Sequence, residues 1–188
     1  MEIMNEKMTS YLASFSKSYE TYFKSLICDK NIPIQETLLI QPDFVSIRGD
    51  SLLNPKFIFV DNMVVWAWRR KGEQYIRDKV DFAFEIDFWH GYLSNVEFFS
   101  LNSACIHELY DLPQNDCFGI GVLVYKTWKE ALKKQFPNEH FFIRLCLGDS
   151  ELYSCEATVG VHKIRLNEPI GANDLKERDD VAIMCEFI

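Results

Sequence analysis

Positive charge is scarce in this 188-residue sequence, where 20 Lys and Arg stand against 28 Asp and Glu for a formal net charge of −8 with histidine neutral. That balance repels phosphate backbones and anionic lipid unless the basic residues cluster. The one dense basic run, Arg69-Arg70-Lys71, is too short to reverse it. Long apolar runs are missing as well. No stretch approaches the roughly 18 to 20 consecutive apolar residues of a membrane span, and the start, Met1-Glu2-Ile3-Met4-Asn5-Glu6-Lys7, lacks a signal-peptide pattern. The expectation is a cytoplasmic protein that engages neither nucleic acid nor membrane. The six cysteines, at 28, 105, 117, 146, 155 and 185, form no Cys-x-x-Cys pair, and no His-x(3–5)-His partner accompanies them. No zinc framework is visible, no metal or cofactor is expected, and the cysteines read as buried thiols. Internal repeats, low-complexity tracts and dividing linkers are also lacking.

What is present is apolar and aromatic. Apolar residues make up 48% of the chain, with 15 Phe, 8 Tyr and 4 Trp, a globular composition that excludes disorder. One α+β domain spanning 1–188 fits this length.

Met4, Met8, Tyr11, Leu12, Phe15, Tyr19, Tyr22, Phe23, Leu26 and Ile27 follow 3-4-3 spacing, which predicts one long amphipathic helix over 4–27. Its stripe is assigned to the core, with a homodimer seam as the alternative use. From 38 to 90 the pattern becomes strand-like. A short strand is expected at 44–48, and 57–60 and 63–68 flank Asp61-Asn62, a two-residue turn that predicts a hairpin. One hairpin face carries Phe57, Phe59, Val64, Trp66 and Trp68, the other Ile58, Val60, Met63, Val65 and Ala67, so both faces require cover by the protein, a ligand or a partner. Residues 81–88 alternate, Phe82, Phe84, Ile86 and Phe88 inward and Asp81, Glu85 and Asp87 outward.

Ser94-x-x-Glu97 has the form of a capping box, and Ala104 to Tyr110 has helical spacing. The run Cys117 to Tyr125, with Gly119 and Gly121, reads as a buried strand. Thr127-x-x-Glu130 then reads as a capping box that opens a short crossover helix at about 128–136, ending at Pro137. A hairpin over 141–161 and a last strand at 181–187 complete a mainly antiparallel sheet, with a short helix expected after Asn173-Asp174. In the 141–161 hairpin the odd-numbered residues form the apolar face, so opposed residues share parity and Cys146 does not bridge to Cys155.

Several short strings invite a catalytic reading. Gly49-Asp50-Ser51-Leu52, Asp87-Phe88-Trp89-His90 and Gly171-Ala172-Asn173-Asp174 each resemble a block of the GDSL or SGNH hydrolases, in which Ser, His and Asp share a pocket with an oxyanion hole. Their order differs from the family's, where Asp-x-x-His comes last, and Ser51 precedes a strand instead of opening a helix. Arg48-Gly49-Asp50 is ordinary turn chemistry, and Gly119-Ile-Gly121 lacks the third glycine of a dinucleotide fingerprint. Cys105 and His107, two apart, do not face each other on a helix. The carboxylates at 81, 85 and 87, with His90 beyond, are better read as a solvated strand face than as a cation site.

These features favour a non-enzymatic acidic binding protein, an immunity or antitoxin-like inhibitor of a basic protein partner, with Asp81, Glu85, Asp87, Trp66 and Trp68 as candidate binding residues. The alternative is a small hydrolase using Ser51 or Cys105 as nucleophile with His90 or His107 as base. A carrier of lipophilic ligands, its cavity lined by the two-sided hairpin, is a third expectation.

Overall fold

A computed structural model describes residues 2–15, 17–28, 52–67, 92–97, 102–106, 112–148, 157–168 and 182–188. Their elements, in chain order, are β1 (Glu2–Met4), α1 (Glu6–Ala13), α2 (Lys17–Cys28), β2 (Phe57–Val60), β3 (Met63–Trp66), α3 (Leu93–Val96), β4 (Ser103–Cys105), α4 (Gln114–Gln135), β5 (Phe141–Leu147), β6 (Ala157–Lys163) and β7 (Ala182–Phe187). The fold is mixed α+β, and the sheets are antiparallel, one of five strands in the order β1-β7-β5-β6-β4 and one of two, β2-β3.

The β5–β6 hairpin follows the parity of its sequence. Ile143 lies opposite Val161, Leu145 opposite Val159 and Leu147 opposite Ala157, and these odd positions form one buried face. Cys146 is opposite Thr158; Cys155 lies outside the described residues. The even face is apolar too, with Phe142, Ile183 and Cys185 buried and Ile3, Cys146, Ile164 and Phe187 packed around them.

Helix α4 crosses the odd face, and here the sequence expectation is corrected. Residues 117–125 are not a strand before a short helix at 128–136; one helix runs from Gln114 to Gln135. Residues 119–125 are buried on every side, so no polar stripe survives to reveal the 3.6-residue period. Thr127 therefore lies inside the helix, where its hydroxyl donates to Leu123 O at 2.8 Å instead of capping an N-terminus. The two glycines allow close packing. A Cβ at Gly119 would sit 2.0 Å from the Phe23 ring, and one at Gly121 would stand 3.2 Å from Leu145 and 3.3 Å from Ala157. One glycine seats α2 and the other seats the sheet.

The single N-terminal helix is likewise corrected. Residues 2–4 form β1, α1 has 8 residues, and α2 restarts at Lys17. At the break, the N–H groups of Ser14 and Phe15 turn back to the carbonyls of Tyr11 and Leu12, the tighter i−3 bonding that ends a helix. An aromatic stripe passes through such a break without marking it. The stripe does serve the core: Met8, Phe23 and Ile27 are buried, and Tyr11, Leu12, Phe15 and Leu26 pack against the same cluster. Asn5 joins β1 to α1. Its Oδ1 accepts from Met8 N–H as an N-cap and from Ile183 N–H on β7, while its own N–H donates to Ile183 O.

The β2–β3 hairpin turns at Asp61-Asn62, whose φ angles of 46° and 65° are those of a type I′ turn. Phe57 pairs with Trp66 and Phe59 with Val64 on one face, Ile58 with Val65 and Val60 with Met63 on the other. Phe57 and Trp66 pack on Trp128 of α4, with ring centroids 5.5 and 4.6 Å away. Among the described residues no helix is long and apolar enough to cross a membrane. The strands expected at 44–48 and 81–88 and the helix after 173 lie outside the described residues. Of the helical spacing at 104–110, Ala104 and Cys105 belong to β4.

Candidate functional site

The chemistry of the described residues concentrates where the two sheets meet. In a two-residue hairpin, alternate pairs point their backbone groups away from the partner strand. On β3 these are the groups of Val64 and Trp66, and side chains receive them. Val64 N–H donates to Glu97 Oε1, Trp66 N–H donates to Asn102 Oδ1 at 2.7 Å, and Asn102 Nδ2 returns a bond to Val64 O at 2.8 Å. The Asn102 carboxamide thus replaces one peptide unit of a neighbouring strand. Asn102 also binds β6, through Nδ2 to Val161 O and through its own carbonyl from Val161 N–H.

Glu97 is the hub. Its side chain is wholly buried, and it accepts from Val64 N–H, from Lys163 N–H at 3.1 Å, and from Arg165, whose Nη1 and Nη2 reach Oε2 and Oε1 at 2.7 and 2.9 Å. Arg165 Nη2 also donates to Asn62 O at 2.7 Å, which ties the hairpin turn to the same centre. Glu168 completes it, accepting from Arg165 and from the N–H groups of Leu93 and Ser94 at the start of α3. Ser94-x-x-Glu97 is therefore not a capping box: the N-cap of α3 is Tyr92, and the cap acceptor comes from Glu168.

Burial pushes the Glu97 carboxyl up to about 7, while the hydrogen bonds and charge of Arg165 pull it down. Burial works to lower Arg165, and the Glu97 hydrogen bonds outweigh it and hold the guanidinium above its ordinary value. The bidentate geometry and the two backbone donors favour the carboxylate and limit that rise. His162, beside this seam on β6, is held below its usual value by burial, with its Nδ1 3.0 Å from Lys163 O.

This centre joins elements; it is poorly built to act on a substrate. Both Glu97 oxygens are engaged, and among the seam's buried side-chain atoms in the described residues only Ser94 Oγ and Arg165 Nε lack a partner. Among the described residues no group of three or more His, Cys, Asp or Glu side chains is arranged to hold a metal ion.

The sequence-selected residues fall elsewhere. Trp66 is buried against Trp128, so its ring belongs to the core. Trp68, Asp81, Glu85 and Asp87 lie outside the described residues, as do Ser51, His90 and His107. Cys105 is on β4, its Sγ 3.5 Å from Thr158 Oγ1. Burial pushes the Cys185 thiol up to about 11, which disfavours the nucleophilic thiolate.

The outer edge of β2 differs from that of β3. Gln135, at the end of α4, accepts from Phe57 N–H at 2.9 Å and donates to Pro55 O at 2.8 Å, again in place of a strand. It covers only that end. By the same alternation Phe59 N–H and C=O face the outer edge of β2, and Ile58 and Phe59 are 36% and 37% exposed. Beside them, Lys163 Nζ lies 5.0 Å from the Phe59 ring centroid and 2.8 Å from Asn62 Oδ1, and the Phe136 ring is 4.5 Å from that of Phe59. Comparison with protein-family models, with curated proteins and with solved structures finds no match to this chain.

Proposed function

We propose that the chain is a non-enzymatic, acidic binding protein of the cytoplasm, of the immunity or antitoxin-like kind that inhibits a basic protein partner. The observation that carries this reading is the excess of acidic side chains, 28 against 20 basic, for a net charge of −8. The alternation over 81–88 sets Asp81, Glu85 and Asp87 on one side of the strand expected there. An acidic excess of this kind speeds encounter with a cationic partner and complements a basic active site. The engagement of the seam's charged groups with one another supports a binding role over a catalytic one.

The test is affinity capture of the full chain from its native cells at low and high salt, alongside the triple variant Asp81→Lys, Glu85→Lys, Asp87→Lys. The expected partner is rich in Lys and Arg, is released as salt rises, and is held less tightly by the variant. Capture that is indifferent to both salt and the triple reversal would overturn the proposal.

A further inference from the structure

We propose that Glu2, Glu186 and Tyr125 form an acceptor site for one guanidinium group, the side chain of an arginine on the basic partner. The class of partner rests on the proposed function, and the inference adds where its cation is held. Glu2 and Glu186 lie directly opposite each other on β1 and β7, so their side chains leave the sheet on the same face, the one that α4 covers. Two carboxylates so placed repel each other. Only Glu186 is compensated: its Oε2 accepts from Lys129 Nζ, while Glu2 is exposed and has no ion-pair partner among the described residues. Two carboxylates and one ammonium leave the group with a net charge of −1.

Tyr125 stands one turn before Lys129 on the same side of α4, which carries its phenol toward the same two strands. The residue is 2% exposed, and its hydroxyl has no hydrogen-bond partner among the described residues. Burial and then the charges of Glu186 and Glu2 raise its pKa, so the phenol stays neutral and keeps its oxygen as an acceptor. An unsatisfied buried hydroxyl beside an uncompensated pair of like charges is costly on both counts. A cationic donor answers both.

The chemistry selects among cations. A divalent ion would have to displace the Lys129 ammonium, whose side chain is only 23% exposed, and the described residues hold no group of three His, Cys, Asp or Glu arranged for a metal. A lysine ammonium would balance the charge, but it is a compact point. Opposed side chains on neighbouring strands have Cβ atoms about 4.5 to 5.5 Å apart, and the planar fork of arginine can bridge two carboxylates at that separation with an N–H left for the phenol oxygen. Entry is from the Glu2 side, because β1 is the outermost strand of its sheet.

Titration of the full chain followed by NMR tests the site, reading the Glu2 and Glu186 amides and the residue 125 ring at constant ionic strength. The probe is N-acetyl-arginine amide, which carries one guanidinium and no other charge. Its shifts are expected to saturate with a Kd between about 1 and 100 mM, and N-acetyl-lysine amide should bind about threefold more weakly or worse. Glu2→Gln should weaken binding about fivefold or more, and Glu130→Gln, an exposed acid elsewhere on α4, by less than about twofold. Tyr125→Phe should weaken it about threefold or more while the urea midpoint stays unchanged or rises, because the hydroxyl lost has no partner in the free protein.

Shifts that do not saturate overturn the proposal, as do equal binding of the lysine probe, equal losses in Glu2→Gln and Glu130→Gln, or undiminished binding by Tyr125→Phe. Free L-arginine that binds more tightly than the capped residue overturns it too, since the site would then serve the amino acid itself. No partner enters the titration, so its failure leaves the acidic face at 81–87 standing, and capture indifferent to salt leaves the titration standing.

Discussion

The two strands of the β2–β3 hairpin are alike in composition and opposite in fate at their outer edges. Along β3, the outward groups Val64 N–H, Val64 C=O and Trp66 N–H are taken up by Glu97 and Asn102, and all four residues of the strand are buried. Along β2, one carboxamide covers the Phe57 end, and Phe59 faces outward. The difference does not arise in the strands. It is set by which distant side chains arrive beside each edge, and it teaches that a carboxamide or carboxylate can stand in for a strand one peptide at a time. An edge closed this way is both sealed and joined to its neighbour, because the same groups bind β6.

The largest effect should come from breaking the sealed edge at its hub. Glu97→Ala leaves the Arg165 guanidinium largely buried without its carboxylate and is expected to cost about 3 to 5 kcal/mol, read from urea unfolding at neutral pH. Asn102→Ala strands Trp66 N–H and the carbonyls of Val64 and Val161; about 2 to 3 kcal/mol is expected in the same measurement, and a loss below about 0.5 kcal/mol would show that water replaces the side chain freely.

The sealed edge should also carry opposed pH dependences. His162 is held below 6.5 in the folded state, so the unfolded chain binds its proton first; this contribution is complete above about pH 6.5 and is lost as pH falls. Glu97, raised to about 7 from 4.5, acts in the other direction, its contribution growing as pH falls between those values. Relative to His162→Gln, the wild type should therefore lose stability on acidification below pH 6.5; relative to Glu97→Gln it should gain. Neither slope exceeds about 1.4 kcal/mol per pH unit for one proton, and a His162→Gln profile parallel to the wild type would remove histidine from the account.

On the open edge the effects are smaller. Gln135→Ala should cost about 1 kcal/mol in urea unfolding, since water reaches the exposed end of α4 and replaces the bond to Phe57 N–H. Phe59→Lys gives up the ring contacts with Phe136 and Lys163 and should cost no more than about 1 kcal/mol in the same measurement. A large destabilisation there would mean that β2 is held from its outer side after all.

Local pattern made part of this fold legible. The Asp61-Asn62 turn, the hairpin faces, the odd-numbered face of β5 and β6 and the end of α4 before Pro137 all follow from neighbouring residues. What the sequence hid depends on distance or on complete burial. Residues 117–125 carry valines and two glycines, so without a polar side their helix looks like a strand. Gln135 meets Phe57 across 78 positions and Arg165 meets Glu97 across 68, and nothing near Glu97, Asn102 or Arg165 marks them as partners. The one local hint, Ser94-x-x-Glu97, pointed to the right residue for the wrong reason. Of the candidate binding set, only Trp66 lies among the described residues, and it is core.

The pairing of β1 with β7 has a consequence in time. Glu2 lies opposite Glu186, so the strand at 2–4 is synthesised about 180 residues before the strand it binds. Because β7 also separates β1 from β5, the growing chain passes through a stage in which β5 and β6 can pair while the far side of β5 waits. During that interval the backbone edge of Phe141–Leu147 is open to wrong pairings, and Asn5 has no Ile183 to hold. The ribosome, and not any single contact, decides when this sheet is finished.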